Sequence, residues 1–237
     1  MKLTRSHWLI APDAPNLLIS IAYMGIGFSP IGALALTIAG LWTLSVGSVA
    51  MIVPSIVLAL VLGVISPRHG RTALDGFIAG LVAVLIYDMV RWDFVAFHLW
   101  GDFIPNIGGW LDGSDAPNWL LGYGFRWLGD GGGMGLTFMV AARTFAPALA
   151  RRSPLPLAIG YGLFIWTCLL VTLIATPDGQ SLLFPITPTT LLLSWIGHVI
   201  YGSVLGVFFA RGKIATRFFG RLVRFHLTAQ RSASAGS

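Results

Sequence analysis

The sequence predicts an all-α integral membrane protein, with six transmembrane helices arranged as three hairpins, both termini cytoplasmic and the fourth helix open to interruption. Three observations carry this expectation. Apolar residues make up 56% of the 237-residue chain and charged residues 10%, whereas a soluble domain carries about 25% charged residues. Six stretches approach the length of about 20 residues that a helix needs to cross the hydrocarbon. Basic residues gather at alternate ends of those stretches, as orientation in a membrane requires.

Residues 1–16, MKLTRSHWLIAPDAPN, form a cytoplasmic or interfacial segment. It begins basic and then meets Pro12, Asp13 and Pro15. With no short apolar run leading to a cleavage pattern, no removable signal peptide is expected. The transmembrane domain occupies residues 17–210. Its first two spans, 17–38 and 47–65, are joined by a short stretch holding Trp42 and Ser45. Each has a proline near its middle, Pro30 and Pro54, which predicts a kink.

Spans three and four, 73–97 and 119–145, enclose the longest connection, an external acidic loop over 98–118. It reads HLWGDFIPNIGGWLDGSDAPN and is bordered or occupied by Trp92, Trp100, Trp110, Trp119 and Trp127. Such aromatics suit the headgroup level, so the loop is expected to lie as a partly ordered cap on the outer surface. Asp102, Asp112 and Asp115, with Asp93 and His98, offer oxygen ligands, but their spacing matches no calcium loop. A solvated acidic loop is expected, and no metal site.

Spans five and six cover 157–176 and 189–210. Small residues four apart, Gly76/Gly80 in span three and Gly202/Gly206 in span six, predict close helix approach. No internal repeat relates the hairpins, so an inverted-repeat architecture is not expected. The single cysteine, Cys168, excludes an intramolecular disulfide. Its apolar surroundings predict a small buried residue.

Orientation follows from the basic ends. Lys2 and Arg5 precede span one, Arg68, His69 and Arg71 follow span two, and Arg151 and Arg152 follow span four. The remaining connections hold Asp102, Asp112, Asp115 or Asp178 and no lysine or arginine. After span six, residues 211–237 carry a stripe of Ile214, Phe218, Leu222 and Phe225 beside Lys213, Arg217, Arg221 and Arg224. That pattern predicts a basic amphipathic helix on the cytoplasmic membrane surface, contacting anionic lipid headgroups. The net charge of +6 is thereby accounted for, and no nucleic-acid partner is expected.

The chemistry concentrates in Tyr123 to Gly135, YGFRWLGDGGGMG, where ionised groups and glycines fall inside span four. At about 1.5 Å per residue, Asp88 lies about 22 Å and Arg91 about 27 Å from the start of span three. Measured from the other boundary, Arg126 lies about 10 Å deep, Asp130 about 16 Å and His198 about 14 Å. Asp88 and Arg126 therefore fall at nearly one height, and Arg126 and Asp130 share a helix face. Asp88, Arg91, Arg126, Asp130, His198 and Tyr201 form the candidate intramembrane polar cluster, with Tyr87 and Ser194 as neutral neighbours. A charge in mid-bilayer costs several kcal/mol, so pairing within this set is close to obligatory.

Gly129, Gly131, Gly132 and Gly133 flank Asp130, and each weakens a helix by about 1 kcal/mol relative to alanine. They allow two half-helices whose freed backbone lines a cavity, with an anion favoured near Met134. They equally allow close packing of a neighbouring helix. No lysine follows the glycines and no strand precedes them, which excludes a phosphate loop. His198 has no second membrane-embedded histidine beside it, which argues against bis-histidine haem, copper or di-iron chemistry. The cofactor question stays open.

Three functions fit these residues. A small-solute or ion/proton transporter or channel leads, because ionisable groups share one depth beside weakened backbone. A non-catalytic membrane subunit or assembly factor follows, since no soluble domain is visible and a membrane-protein partner or homo-oligomer would explain the buried charges. An enzyme acting on a lipid or quinone ranks last, for want of a nucleophile–base spacing or paired catalytic acids.

Overall fold

The computed structural model of the chain describes residues 13–211. The first twelve residues and the basic tail with Lys213, Arg217, Arg221 and Arg224 lie outside the described residues. Within them, all regular structure is helical: α1 (Ala14–Ile38), α2 (Leu44–Ile65), α3 (Pro67–Ala96), α4 (Ile104–Asp112), α5 (119–145), α6 (Pro147–Arg152), α7 (Pro154–Ala175), α8 (Gly179–Leu182) and α9 (Pro188–Arg211). Proline opens α3, α6, α7 and α9, where its missing N–H has no helical partner to lose. The Asp13 carboxylate accepts from the Asn16 N–H to cap α1, and Asn118 caps α5 through the Leu121 N–H.

Five helices, α1, α2, α3, α7 and α9, are long and apolar enough to cross a membrane. Helix α5 is not among them, although it spans the predicted residues. Arg126, Asp130 and Arg143 lower its hydropathy, and its middle is wound in wide π-type turns over Phe125–Gly132. The half-helices that the glycines allow do not form. Gly132 and Gly133 keep right-handed helical dihedrals, so the chain passes through the run without a break. Backbone freed inside a membrane has no water to bond to, which favours a stretched helix over an open one. A second wide turn, Ser48–Ile52, precedes Pro54 in α2, where the ring would collide with a regular preceding turn. By contrast α1 runs on through Pro30.

Helix α5 lies at the centre, packed on α1 and α3; α3 also meets α2 and α9, and α9 pairs with α7. The pairs α3/α5 and α7/α9 run antiparallel, as Gly76 against Gly135 with Asp88 against Arg126, and Leu155 against Gly206 with Trp166 against Ser194, require. Among the described residues, one end of the bundle carries the turn at 65–67 and the short helix α6 with its flanking turns. The other is capped by α4 and α8, with Ile104, Ile107, Leu183 and Phe184 buried beneath them. Two acidic side chains of the expected solvated loop have structural partners: Asp112 bonds the Asn118 amide, and Asp102 turns inward.

The outer surface of the bundle is apolar. From 48 to 65, α2 buries no residue at all, and Val49, Leu60 and Val64 are more than two-thirds exposed. A water-soluble monomer does not display such a continuous patch; a multi-pass membrane protein does. Cys168 corrects the sequence reading. It is exposed on α7, because the partner face of that helix is taken by the small residues Ala158 and Gly162 against α9.

Candidate functional site

At the middle of the bundle α3 and α5 exchange charges. The Arg126 guanidinium donates through Nε to Asp88 Oδ1 at 3.3 Å and through NH1 to Asp130 Oδ2 at 2.6 Å. Asp88 is completely buried, and its second oxygen accepts from the Trp127 indole N–H at 2.9 Å. Arg126 and Asp130 keep 15% and 17% of their side chains exposed, and both border a cavity. Two carboxylates face one guanidinium, so the triad carries one formal negative charge in excess. Asp130, the carboxylate at the cavity wall, is where that excess can be neutralised.

The wide turns of α5 bring Arg126, Trp127 and Asp130 onto the face that meets α3. The guanidinium also lies 4.8 Å from the ring centroid of Tyr87, within cation–π range. Tyr87 in turn makes an edge contact with His198 on α9, ring centroids 5.7 Å apart. His198 Nδ1 sits 2.7 Å from the Ser194 carbonyl. A carbonyl only accepts, so Nδ1 carries the proton in that bond and Nε2 is left as the basic nitrogen of the neutral ring. Tyr201 lies apart from the ion pairs; its hydroxyl donates to the Gly131 carbonyl at 2.7 Å.

Arg91, grouped with these residues on sequence grounds, is held elsewhere. One turn nearer the capped end, it donates to Asp102 Oδ1 at 3.0 Å and to the Tyr123 hydroxyl at 3.2 Å. Its guanidinium lies 5.4 Å from the Trp100 ring and 5.0 Å from that of Phe103. The cap thus supplies the counter-ion, which brings an acid of the 98–118 loop into the protein. Arg91 Nε and Trp100 Nε1 are both buried without a hydrogen-bond partner.

The cavity joins the two groups. About 140 Å³ in volume, it is bordered by Arg126, Asp130 and His198 at its floor and by Arg91 and Trp100 under the cap. Along α1 its wall runs from Phe28 to Ile38, about 15 Å of helix. Apolar side chains of α1, α4, α5 and α7 make up most of the remainder. Gly129, Gly131, Gly132 and Gly133, offered as cavity backbone, do not border it. They seat Pro30, Val84, Phe77 and Gly27 instead, so the run serves close packing.

Several residues of this arrangement escaped the sequence reading. Trp127 looked like an interfacial aromatic and Tyr123 suggested no role, although their four-residue spacing predicts one shared face of α5. Asp102 looked like one acid among several. Tyr161, whose hydroxyl donates to the Met134 carbonyl at 2.9 Å, gave no signal. Among the described residues no group of three or more histidine, cysteine or acidic side chains is placed to hold a metal ion. Set against known proteins, the chain matches no family model, no curated protein and no solved structure.

Proposed function

We propose that the chain is a proton-linked membrane transporter of small, largely apolar solutes, with Asp130 carrying the coupling proton. The observation that supports this is a mostly apolar cavity whose floor is an ion triad one positive charge short of neutrality. An uncompensated carboxylate is expensive in a membrane interior, so a proton or a bound cation must accompany it. Arg126 on its own helix and Asp88 from α3 are the charged groups at Asp130; Tyr87 from α3, Tyr161 from α7 and Tyr201 from α9 stand within its electrostatic reach, His198 from α9 borders the same cavity, and the cavity wall on α1 is apolar. Protonating Asp130 neutralises the triad and leaves Arg126 to Asp88 alone, which couples the proton to the α3–α5 contact.

In this reading the bundle crosses the membrane six times, α5 being the fourth crossing, with the plain end and both termini cytoplasmic. Lys213, Arg217, Arg221 and Arg224 hold the tail against anionic headgroups of the cell membrane. The test is flux in proteoliposomes under an imposed proton gradient. Asp130→Asn should lower it at least tenfold while the protein elutes as a single folded species. Wild-type flux equal to that of empty liposomes, across neutral, anionic and cationic solutes, would reject the reading.

A second reading is favoured by α2, whose residues 48–65 bury nothing within the chain. As a subunit of a larger membrane complex, the protein would pack this face on a partner helix. Gentle extraction followed by mass spectrometry should then recover a stoichiometric membrane partner.

A further inference from the structure

We propose that the solute of this cavity is a small organic ammonium ion, held by Asp130 and by aromatic faces, in exchange for a proton. Two independent features converge on that class. The first is charge. The triad is one positive charge short, whereas Arg91 under the cap is matched by Asp102; the five groups together therefore lack one cation, and Arg91, Arg126 and Asp130 are the ones that border the cavity. The second is the wall. Of the rings that border it, Tyr87, Trp100 and Phe103 already face Arg126 and Arg91, which leaves others such as Phe28, Phe125 and Phe184 for the solute, and ring faces attract a cation that has shed its water. Lipophilic anions meet the excess carboxylate, and neutral solutes leave it uncompensated.

Size narrows the class. An apolar cavity of about 150 Å³ accepts benzene, so 140 Å³ takes an ammonium of about benzene's size, with short alkyl groups and no ring. A proton and the ammonium exclude each other at Asp130, because either one completes the charge. This inference supplies the solute for the transport reading and rests on it, but its test reads binding rather than flux, so either can fail alone.

The experiment uses the full chain in lipid nanodiscs, with empty nanodiscs as the partition control. Radiolabelled tetramethylammonium, whose charge is independent of pH, is the probe, and its neutral isostere neopentane is the competitor. Wild-type protein should bind the cation at least tenfold more tightly than Asp130→Asn. Affinity should fall as pH is lowered, with one proton displacing one probe, and His198→Gln should keep that dependence. Phe28→Leu, which preserves apolar volume but removes a ring face, should weaken binding about threefold. Equal binding by wild type and Asp130→Asn overturns the proposal, as does displacement by neopentane at the same free concentration as the unlabelled cation. If Asp130→Asn fails to fold, Phe28→Leu and the pH profile decide: unchanged affinity in both overturns it. Probe binding without flux would leave the cavity assignment standing and remove the transporter.

Discussion

The plain half and the capped half of the bundle are built on opposite principles. Toward the plain end helices touch through backbone: a Cβ on Gly76 would stand 2.5 Å from the Gly135 carbonyl, and one on Gly202 the same distance from that of Ala158. Side-chain hydroxyls complete these contacts, Tyr23 to the Ala59 carbonyl at 3.1 Å and Thr137 to that of Met24 at 3.2 Å. Toward the cap α4 still meets the start of α5 through backbone at Gly108 and Gly122, but the space between α1, α3 and α7 is filled by rings, and rings leave a void. Between lipid-solvated helices no water is expelled by association, so close van der Waals contact supplies the adhesion. The plain half is therefore free to hold the bundle together while the capped half stays hollow. The ion triad sits where the two regimes meet.

The largest effect is expected at that boundary. Asp88→Ala strips acceptors from both Arg126 and Trp127 in a completely buried position. Removing one partner of a buried pair costs about 3–5 kcal/mol. The variant should lose most of its thermal stability in mild detergent, followed by size-exclusion recovery after heating. Wild-type recovery would mean that the triad contributes to function alone.

Gly135→Ala tests the plain half. Its Cβ would lie 2.6 Å from the Gly80 backbone nitrogen, and overpacking of this kind costs about 1–3 kcal/mol. Alanine is the better helix former in isolation, by about 1 kcal/mol, so a net loss can arise only from the helix–helix contact. A stabilised variant would break the contrast between the halves. Ala35→Leu is its counterpart in the capped half. Ala35 borders the cavity, so the larger side chain enters existing space and stability should change by less than about 1 kcal/mol. Because it occupies the void, the same substitution should weaken ammonium binding at least fivefold, a loss that Gly135→Ala has no direct means to cause.

Much of this division was readable from local features. Helix ends follow the prolines at 67, 147, 154 and 188. The Arg126–Asp130 pair follows from a spacing of four, and Asp88 opposite Arg126 from counting helical rise. What required three dimensions was either long-range or set by the solvent. Asp102 pairs with Arg91 only because the cap folds inward, and nothing local distinguishes it from Asp112 or Asp115. The glycine run was ambiguous because helix propensities describe water. Inside a membrane the unmade backbone bonds outweigh them, so the chain widens its turns and remains helical. The capped half, made of rings contributed by several distant elements, leaves no periodic mark in the sequence.

The smallest expected effect sharpens the contrast from the hollow side. Trp100 is buried and stacks edge-on against Phe184 at 5.2 Å, yet its indole N–H has no partner. Truncating a large buried aromatic ordinarily costs several kcal/mol. Trp100→Phe keeps a ring against Phe184 and Arg91 and removes an N–H whose burial without a partner costs about 1–3 kcal/mol. The two terms oppose each other, and the net change should stay within about 1 kcal/mol, read as the thermal midpoint in detergent. A loss well beyond that would show that the N–H is satisfied when the protein is in lipid, by water or by a bound acceptor. An ammonium has no lone pair to offer an N–H, so that acceptor would be a water held at the capped end of the cavity rather than the solute.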